Sequence, residues 1–118
     1  MDERRGYPRM RVGKEATCAI ENRLAPIACN VEDISLSGVR ITMSKNLFPE
    51  VFSNITLNIP EGLSFNAGAH VAWHDEYEGR NTYGLSFNRL DDTEKDKIAL
   101  FIRDNMFKNL REEWWKGL

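Results

Sequence analysis

Residues 25–43 read APIACNVEDISLSGVRITM, and the order of apolar and polar residues in this stretch decides the fold. Apolar side chains alternate with other residues in residues 39–43, and residues 25–33 form a second strand-like segment. Alternation with a period of two is typical of a β-strand that buries one face. Ser37 and Gly38 lie between the two segments and favour a turn. The stretch therefore predicts two antiparallel strands joined by a short connection.

Segments of the same kind flank this stretch. One precedes it at residues 14–21, and three follow it, the last two joined by a turn at Glu78 and Gly79. About six short antiparallel strands suit a small barrel or a strongly bent sheet. The three later segments are residues 55–59, 67–73 and 83–87.

The period of the pattern changes after residue 91, where a helix is predicted. Asp92 or Thr93 can cap its first turn, and the acidic Glu94 and Asp96 favour the positive end of the helix dipole. Apolar residues then recur four apart, as on the core-facing side of a helix. Other apolar residues fall partly off this stripe, so either a wide core face or a surface for a partner or a second copy of the chain explains them. The stripe is Ile98, Phe101, Ile102, Met106, Leu110 and Trp114, and the residues off it are Leu100, Phe107 and Trp115.

The composition fits one folded domain. A chain of 118 residues with 42% hydrophobic residues is long enough for a core of its own. No run of about eighteen apolar residues and no charged-then-apolar leader is present, so we expect a soluble cytoplasmic protein without a membrane span. Cys18 and Cys29 stand in apolar strand-like segments and are expected to be reduced core residues, with a cross-strand disulfide as the alternative.

Charge is distributed unevenly along the chain. The formal net charge of −2 argues against a general DNA or RNA binder. The first fourteen residues nevertheless carry five basic residues against two acidic ones, a net charge of +3 that leaves −5 for the remainder. A solvated tail is one explanation of such a basic arm. A binding role is the other.

An arginine pair in this arm favours the binding role. Arg5 and Arg9 are four residues apart, and Tyr7 and Pro8 lie between them. Proline disfavours the α-helical conformation of the residue before it, so this segment is predicted to be a loop. Guanidinium groups match phosphate oxygens or the O6 and N7 atoms of guanine. We expect residues 1–11 to be mobile without a ligand and ordered with one.

A second pattern, Asp33-Ile34-Ser35-Leu36-Ser37-Gly38, follows about twenty-five residues later. Asp33 can accept hydrogen bonds from N1 and N2 of guanine, and Ser35 can donate or accept one. Gly38 lets a flat base approach the backbone where a Cβ would block it. The alternative is a hairpin turn built by Asp33 and Ser35, with Gly38 present for a positive φ. The turn and the binding role can coexist.

The two patterns, RxxxR at residues 5–9 and DxSxxG at residues 33–38, together resemble the two signatures of the PilZ domain, a bacterial receptor for cyclic di-GMP. In that family the first signature precedes the first strand and the second lies between two early strands, as in the strand pattern here. Residues 71–73 and 84–87 also resemble later strands of the family, so the resemblance covers about residues 3–90.

The resemblance implies a mainly β fold, a six-stranded antiparallel β-barrel of the split-barrel type with a C-terminal α-helix. Residues 1–118 would form a single domain. It would consist of a flexible arginine-bearing arm at residues 1–11, the barrel at residues 12–90 and the helix at residues 92–115.

The resemblance also implies a function. It indicates a receptor for cyclic di-GMP, without catalytic activity, cofactor or metal, that changes its surface on binding and signals to a separate, unidentified protein. The ligand-binding residues carried over by the two signatures are Arg5, Arg9, Asp33, Ser35 and Gly38.

The resemblance implies a ligand-binding role for two further residues, and each of them also has a structural explanation. Arg4 matches a basic position that the family associates with stacking around an intercalated pair of ligand molecules, but a solvated charge explains it equally well. Trp73 matches a position where an aromatic ring stacks on guanine. Its alternation with Ala69 and Val71 would place it on their face, so a core tryptophan is the alternative.

Other function classes explain the residues less well. A nucleotide-independent PilZ-like adaptor is the main alternative, although such proteins generally lack the arginine pair. A flavin-binding split barrel would leave that pair unexplained. His70 and His74 would lie about 13 Å apart on an extended strand, too far for one zinc ion. A hydrolase built from Ser35, His74 and Asp75 fails because adjacent strand residues face opposite sides and no GxSxG elbow is present.

Overall fold

The structure, a computed structural model, describes residues 9–21, 23, 25–60 and 62–116. In these residues the chain forms six strands, a short 3₁₀ helix and one α-helix. They are β1 (Met10–Ile20), β2 (Ile27–Ile34), β3 (Gly38–Met43), the 3₁₀ helix (Pro49–Ser53), β4 (Asn54–Ile59), β5 (Leu63–Tyr77), β6 (Arg80–Arg89) and α1 (Asp92–Lys116).

The six strands form one closed antiparallel barrel in the order β1-β2-β3-β6-β5-β4, and β4 pairs back with β1. The prediction of a six-stranded antiparallel barrel with a C-terminal helix is therefore confirmed, and the bent open sheet is excluded. Met10 and Arg11, which the sequence pattern placed in the arm, belong to β1.

Alternate residues of each strand fill the barrel. In β4, for example, Ile55, Leu57 and Ile59 are buried, as their period of two predicts. Cys18 and Cys29 are also buried and free, so the reduced state is the one present. Cys18 lies opposite Ile27 and not opposite Cys29 in the β1–β2 pairing, which explains why the two thiols are not bridged.

The hairpin of β5 and β6 extends beyond the other strands of the barrel. β5 pairs with β4 as far as Gly68, and from there to Tyr77 it pairs with β6. The predicted turn at Glu78 and Gly79 is present, with φ angles of 51° and 80°. Two successive positive φ angles are typical of the tight turn that matches the twist of a two-stranded ribbon.

The helix α1 begins at Asp92, where the sequence predicts it, and Ile98, Phe101 and Ile102 are buried on its inner side. The predicted core stripe is wrong at Met106, which is 48% exposed. The side chains of Phe107, Leu110, Trp114 and Trp115 lie outside the described part of the structure. Within the described residues, no helix is both long and apolar enough to cross a membrane.

Candidate functional site

A buried carboxylate near the end of β2 lies between two arginines. Asp33 is 7% exposed. Arg9 Nη1 lies 2.5 Å from Asp33 Oδ1, and Arg40 Nη2 lies 2.8 Å from Asp33 Oδ2. The structure thus brings together one residue from each predicted signature and adds Arg40, which carries no signature and was not predicted.

A bulge in β2 aligns this group. The pairing of β2 with β3 runs from Val31 opposite Ile41 to Asp33 opposite Arg40, so Glu32 is an extra residue between them. Val39 and Ile41 point into the core, which turns Arg40 outward towards Asp33. A signal for Arg40 was present in the sequence, because the residues opposite each other across a hairpin are equally distant from its turn.

Ser35 builds the turn that follows Asp33. It is 1% exposed, and its amide donates to the Gly38 carbonyl at 2.9 Å. Its hydroxyl accepts from the Ser37 amide at 3.1 Å and shares a hydrogen bond with the Ser37 hydroxyl at 3.0 Å. The Phe87 amide donates to the Ser37 carbonyl, which ties the turn to β6. The predicted turn role of Ser35 is therefore present, and its contact with a ligand stays a prediction.

Gly38 is required for a reason that differs from both predicted ones. Gly38 is not among the described residues with a positive φ, so the positive-φ explanation is wrong. A Cβ on Gly38 would clash with the carbonyl oxygen of Leu85 in β6. The space that the missing side chain leaves is thus filled by the neighbouring strand and is not open to a base.

Trp73 lies on the outer face of the barrel, 45% exposed, and the prediction that it shares a face with Ala69 and Val71 is wrong. The pairing of β5 with β6 shifts between Val71 and Trp73, and the extra residue reverses the faces. A Cβ on Gly84 would clash with the Trp73 indole, so the ring lies directly over this glycine. The core alternative for Trp73 is therefore excluded.

Asp33, Arg40 and Trp73 belong to one lateral row of residues across the barrel surface, which we call the surface row. Each member lies opposite the next in a strand pairing, and opposite residues share a face of the sheet. The row crosses five strands. Its members in order are Arg11, Asp33, Arg40, Gly84 and Trp73.

The surface row alternates in chemistry. It presents the carboxylate of Asp33, then the guanidinium of Arg40, then a flat indole where Gly84 has no side chain. A row of this kind offers hydrogen-bond acceptors, donors and a stacking surface within a few strand spacings of about 4.8 Å each. That combination suits a flat polar ring with an anionic group attached.

Arg4 and Arg5 lie outside the described residues. Of the predicted arginine signature, the structure therefore places only Arg9, immediately before β1. Because Arg9 contacts Asp33, the last residue of the signature lies beside the surface row.

The histidines take other roles. His70 pairs opposite Ser86 and His74 opposite Tyr83, with the β5 bulge between them, so they do not share a face as predicted. His74 stacks on Tyr83, with the ring centroids 4.4 Å apart, and its Nε2 lies 2.9 Å from Asn81 Oδ1. Among the described residues, no group of three or more His, Cys, Asp or Glu could hold a metal ion.

The family model of the PilZ domain matches residues 3–104 of the chain. The chain belongs to the PilZ domain family. Among solved structures, this PilZ domain is similar to the crystal structure of YcgR in complex with c-di-GMP from Escherichia coli, with a TM-score of 0.66 and 18% sequence identity. The match covers 97% of this chain and 49% of that chain, so the PilZ domain described here spans about half the length of YcgR. Comparison with curated proteins finds no match.

Proposed function

We propose that this PilZ domain is a receptor for cyclic di-GMP. The observation that carries the proposal is the position of Asp33, a buried carboxylate on the barrel surface that is held by Arg9 of the arginine signature. Membership of the family and the c-di-GMP bound to the similar YcgR structure support the same ligand.

The surface row supplies the groups that such a ligand needs. Cyclic di-GMP carries two guanines and two phosphates. Trp73 offers an exposed indole on which one guanine can stack, which is worth about 1–3 kcal/mol per base in single-stranded nucleic acid complexes. Asp33 accepts hydrogen bonds from N1 and N2 of that base, while Arg5 and Arg9 pair with the phosphates. Ser35, which is buried, holds the turn beside Asp33 through the hydrogen bonds of its hydroxyl with Ser37.

Ligand binding requires an exchange of partners at Asp33. Without ligand, one oxygen of the carboxylate is bonded to Arg9 and the other to Arg40. The side chain of Arg9 is 55% exposed, so moving it from Asp33 to a phosphate disturbs little of the core. The arm then closes over the ligand, and this change alters the surface that the domain presents.

Calorimetric titration with cyclic di-GMP tests the proposal. The wild type is expected to bind saturably, and Arg5→Ala, Arg9→Ala and Asp33→Ala are each expected to weaken binding at least about tenfold, because each removes a charged hydrogen-bond partner of the ligand. Arg103→Ala is the matched control, since Arg103 is an exposed helix residue whose ion pair, within the described part of the chain, is with the exposed Asp104.

Heat without saturation in the wild type would overturn the proposal, and so would arginine variants that bind as the wild type does. The fitted stoichiometry also separates the two explanations of Arg4. Two ligand molecules per domain in the wild type and one in Arg4→Ala support its role in holding an intercalated pair.

The output of the receptor is part of the same proposal. We expect the closed arm and the surface row to be recognised by a separate partner protein in the cytoplasm, and we expect no catalysis. A nucleotide-independent adaptor is the alternative, and it predicts partner binding that is the same with and without cyclic di-GMP.

A further inference from the structure

One hydrogen-bond donor of Arg40 is not used within the described part of the fold. Its Nη2 bonds to Asp33, but its Nε is buried and has no hydrogen-bond partner among the described residues. Buried donors without a partner are rare in folded proteins, and each one asks for an explanation. Arg40 also stands between Asp33 and Gly84 in the surface row, with the Trp73 indole over that glycine.

We infer that Arg40 is a further ligand-contacting residue, which donates a hydrogen bond to O6 of the guanine stacked on Trp73. The inference rests on the proposed function and deepens it. Guanine presents O6, N1–H and N2–H in this order along one edge, an acceptor followed by two donors. Arg40 and Asp33 present the complement side by side, a donor group followed by two acceptor oxygens.

The same arrangement selects guanine over adenine. Adenine presents an amino donor where guanine has O6, and an acceptor where guanine has N1–H. An adenine in the same orientation would set its amino group against the Arg40 guanidinium and its ring nitrogen against the Asp33 carboxylate. A donor would then face a donor and an acceptor would face an acceptor. Leaving these groups unpaired is costly in a desolvated site.

The two arginines of Asp33 thus have different roles. Arg9 is more exposed than Arg40, at 55% against 36% of the side chain, and it precedes the first strand. Arg40 is fixed within β3, opposite Asp33 on one side and Gly84 on the other. Arg9 leaves Asp33 for a phosphate, whereas Arg40 stays and reads the base.

The test compares affinities for two cyclic dinucleotides. Arg40→Met keeps the apolar stem and removes the donors, and Arg40→Lys keeps the charge without the planar group. Cyclic di-GMP is titrated by calorimetry, and cyclic di-AMP is measured by its competition with fluorescently labelled cyclic di-GMP. Thermal unfolding of each variant confirms that it is folded, and Arg103→Met is the matched control.

Arg40→Met is expected to bind cyclic di-GMP roughly 5- to 150-fold more weakly, the range that one good base contact gives. Its affinity for cyclic di-AMP should change less than about twofold, so the preference for guanine falls. Arg40→Lys should stay as stable as the wild type and lose part of the preference. A crystal structure of the complex should place a nitrogen of Arg40 within hydrogen-bond distance of O6.

Two results overturn the inference alone. One is a folded Arg40→Met variant that binds cyclic di-GMP as the wild type does. The other is an equal loss of affinity for both dinucleotides, which would show that Arg40 only positions Asp33. A wild type that does not bind cyclic di-GMP overturns the proposed function and the inference together.

Discussion

Asp33 depends unequally on its two partners. The ion pair with Arg9 is half exposed, and such pairs contribute only about 0–1 kcal/mol to stability. Arg40 is less exposed and is fixed by the strand pairing, so its loss would leave a buried charge with less compensation. Arg9 can therefore exchange partners at little cost in stability, which is what the proposed exchange at Asp33 requires.

Gly38→Ala is expected to destabilise the domain by about 1–3 kcal/mol or more, because its Cβ would clash with the backbone carbonyl of Leu85. Urea unfolding measures the loss. Gly79→Ala is the matched comparison, since a Cβ there has open space and only the positive φ opposes it.

For Gly79→Ala the expected cost is about 1–2 kcal/mol, the penalty of a left-handed conformation for a residue with a Cβ. A Gly38→Ala variant as stable as the wild type would contradict the close contact of β3 with β6. Any effect of Gly38→Ala on cyclic di-GMP affinity should follow the change in stability, since the added Cβ would meet Leu85 and not open space.

At the scale of the elements, the strands follow from the sequence but their bulges do not. Alternation of apolar residues is visible in any single strand, and it predicted all six. A bulge adds one residue without changing composition, so the reversal of face at Trp73 needs the pairing of β5 with β6 to be known. Arg40 was missed for a different reason. Its distance from the turn places it opposite Asp33, but no motif marks it.

The helix is anchored to the barrel by Glu94, and this anchor gives a prediction. Glu94 Oε1 accepts a hydrogen bond of 2.8 Å from the backbone N–H of Asn66 in β5. That hydrogen bond, with help from Lys97, lowers the pKa of the Glu94 carboxyl below its ordinary value. A lowered pKa in the folded state stabilises the fold above the unfolded pKa, and this stability is lost as the pH falls.

Glu94→Gln should therefore cost about 1 kcal/mol at pH 7 and should reduce the loss of stability below about pH 5. Chemical unfolding at a series of pH values measures both effects. Asp96→Asn is the control, since Asp96 is an exposed acidic residue two positions after Glu94. Parallel pH profiles for Glu94→Gln and the wild type would contradict the anchor.

The closed barrel as a whole protects its two thiols. Burial raises the pKa of Cys18 to about 12, with a contribution from Cys29, and burial raises the pKa of Cys29 to about 11, both from an ordinary value of 9.0. The unfolded chain loses these protons first as the pH rises. Stability is therefore full below about pH 9 and should fall above it, by about 1.4 kcal/mol per pH unit for each thiol.

Comparing the wild type with a Cys18→Ala, Cys29→Ala double variant between pH 8 and pH 10.5 isolates this effect from other titrating groups. The double variant should be less stable at pH 8, because it removes buried sulfur atoms, and its stability should fall less steeply above about pH 9. Equal slopes would show that the thiols are accessible to water in the folded domain.

The surface row also connects recognition with the integrity of the sheet. Its members come from β1, β2, β3, β6 and β5, so no pair of neighbouring strands contains the whole set. A ligand held across the row would bind the folded chain and not the unfolded one, and mass action would then add its binding free energy to the stability of the barrel. The free energy of unfolding of the domain would in this way rise with the concentration of the ligand.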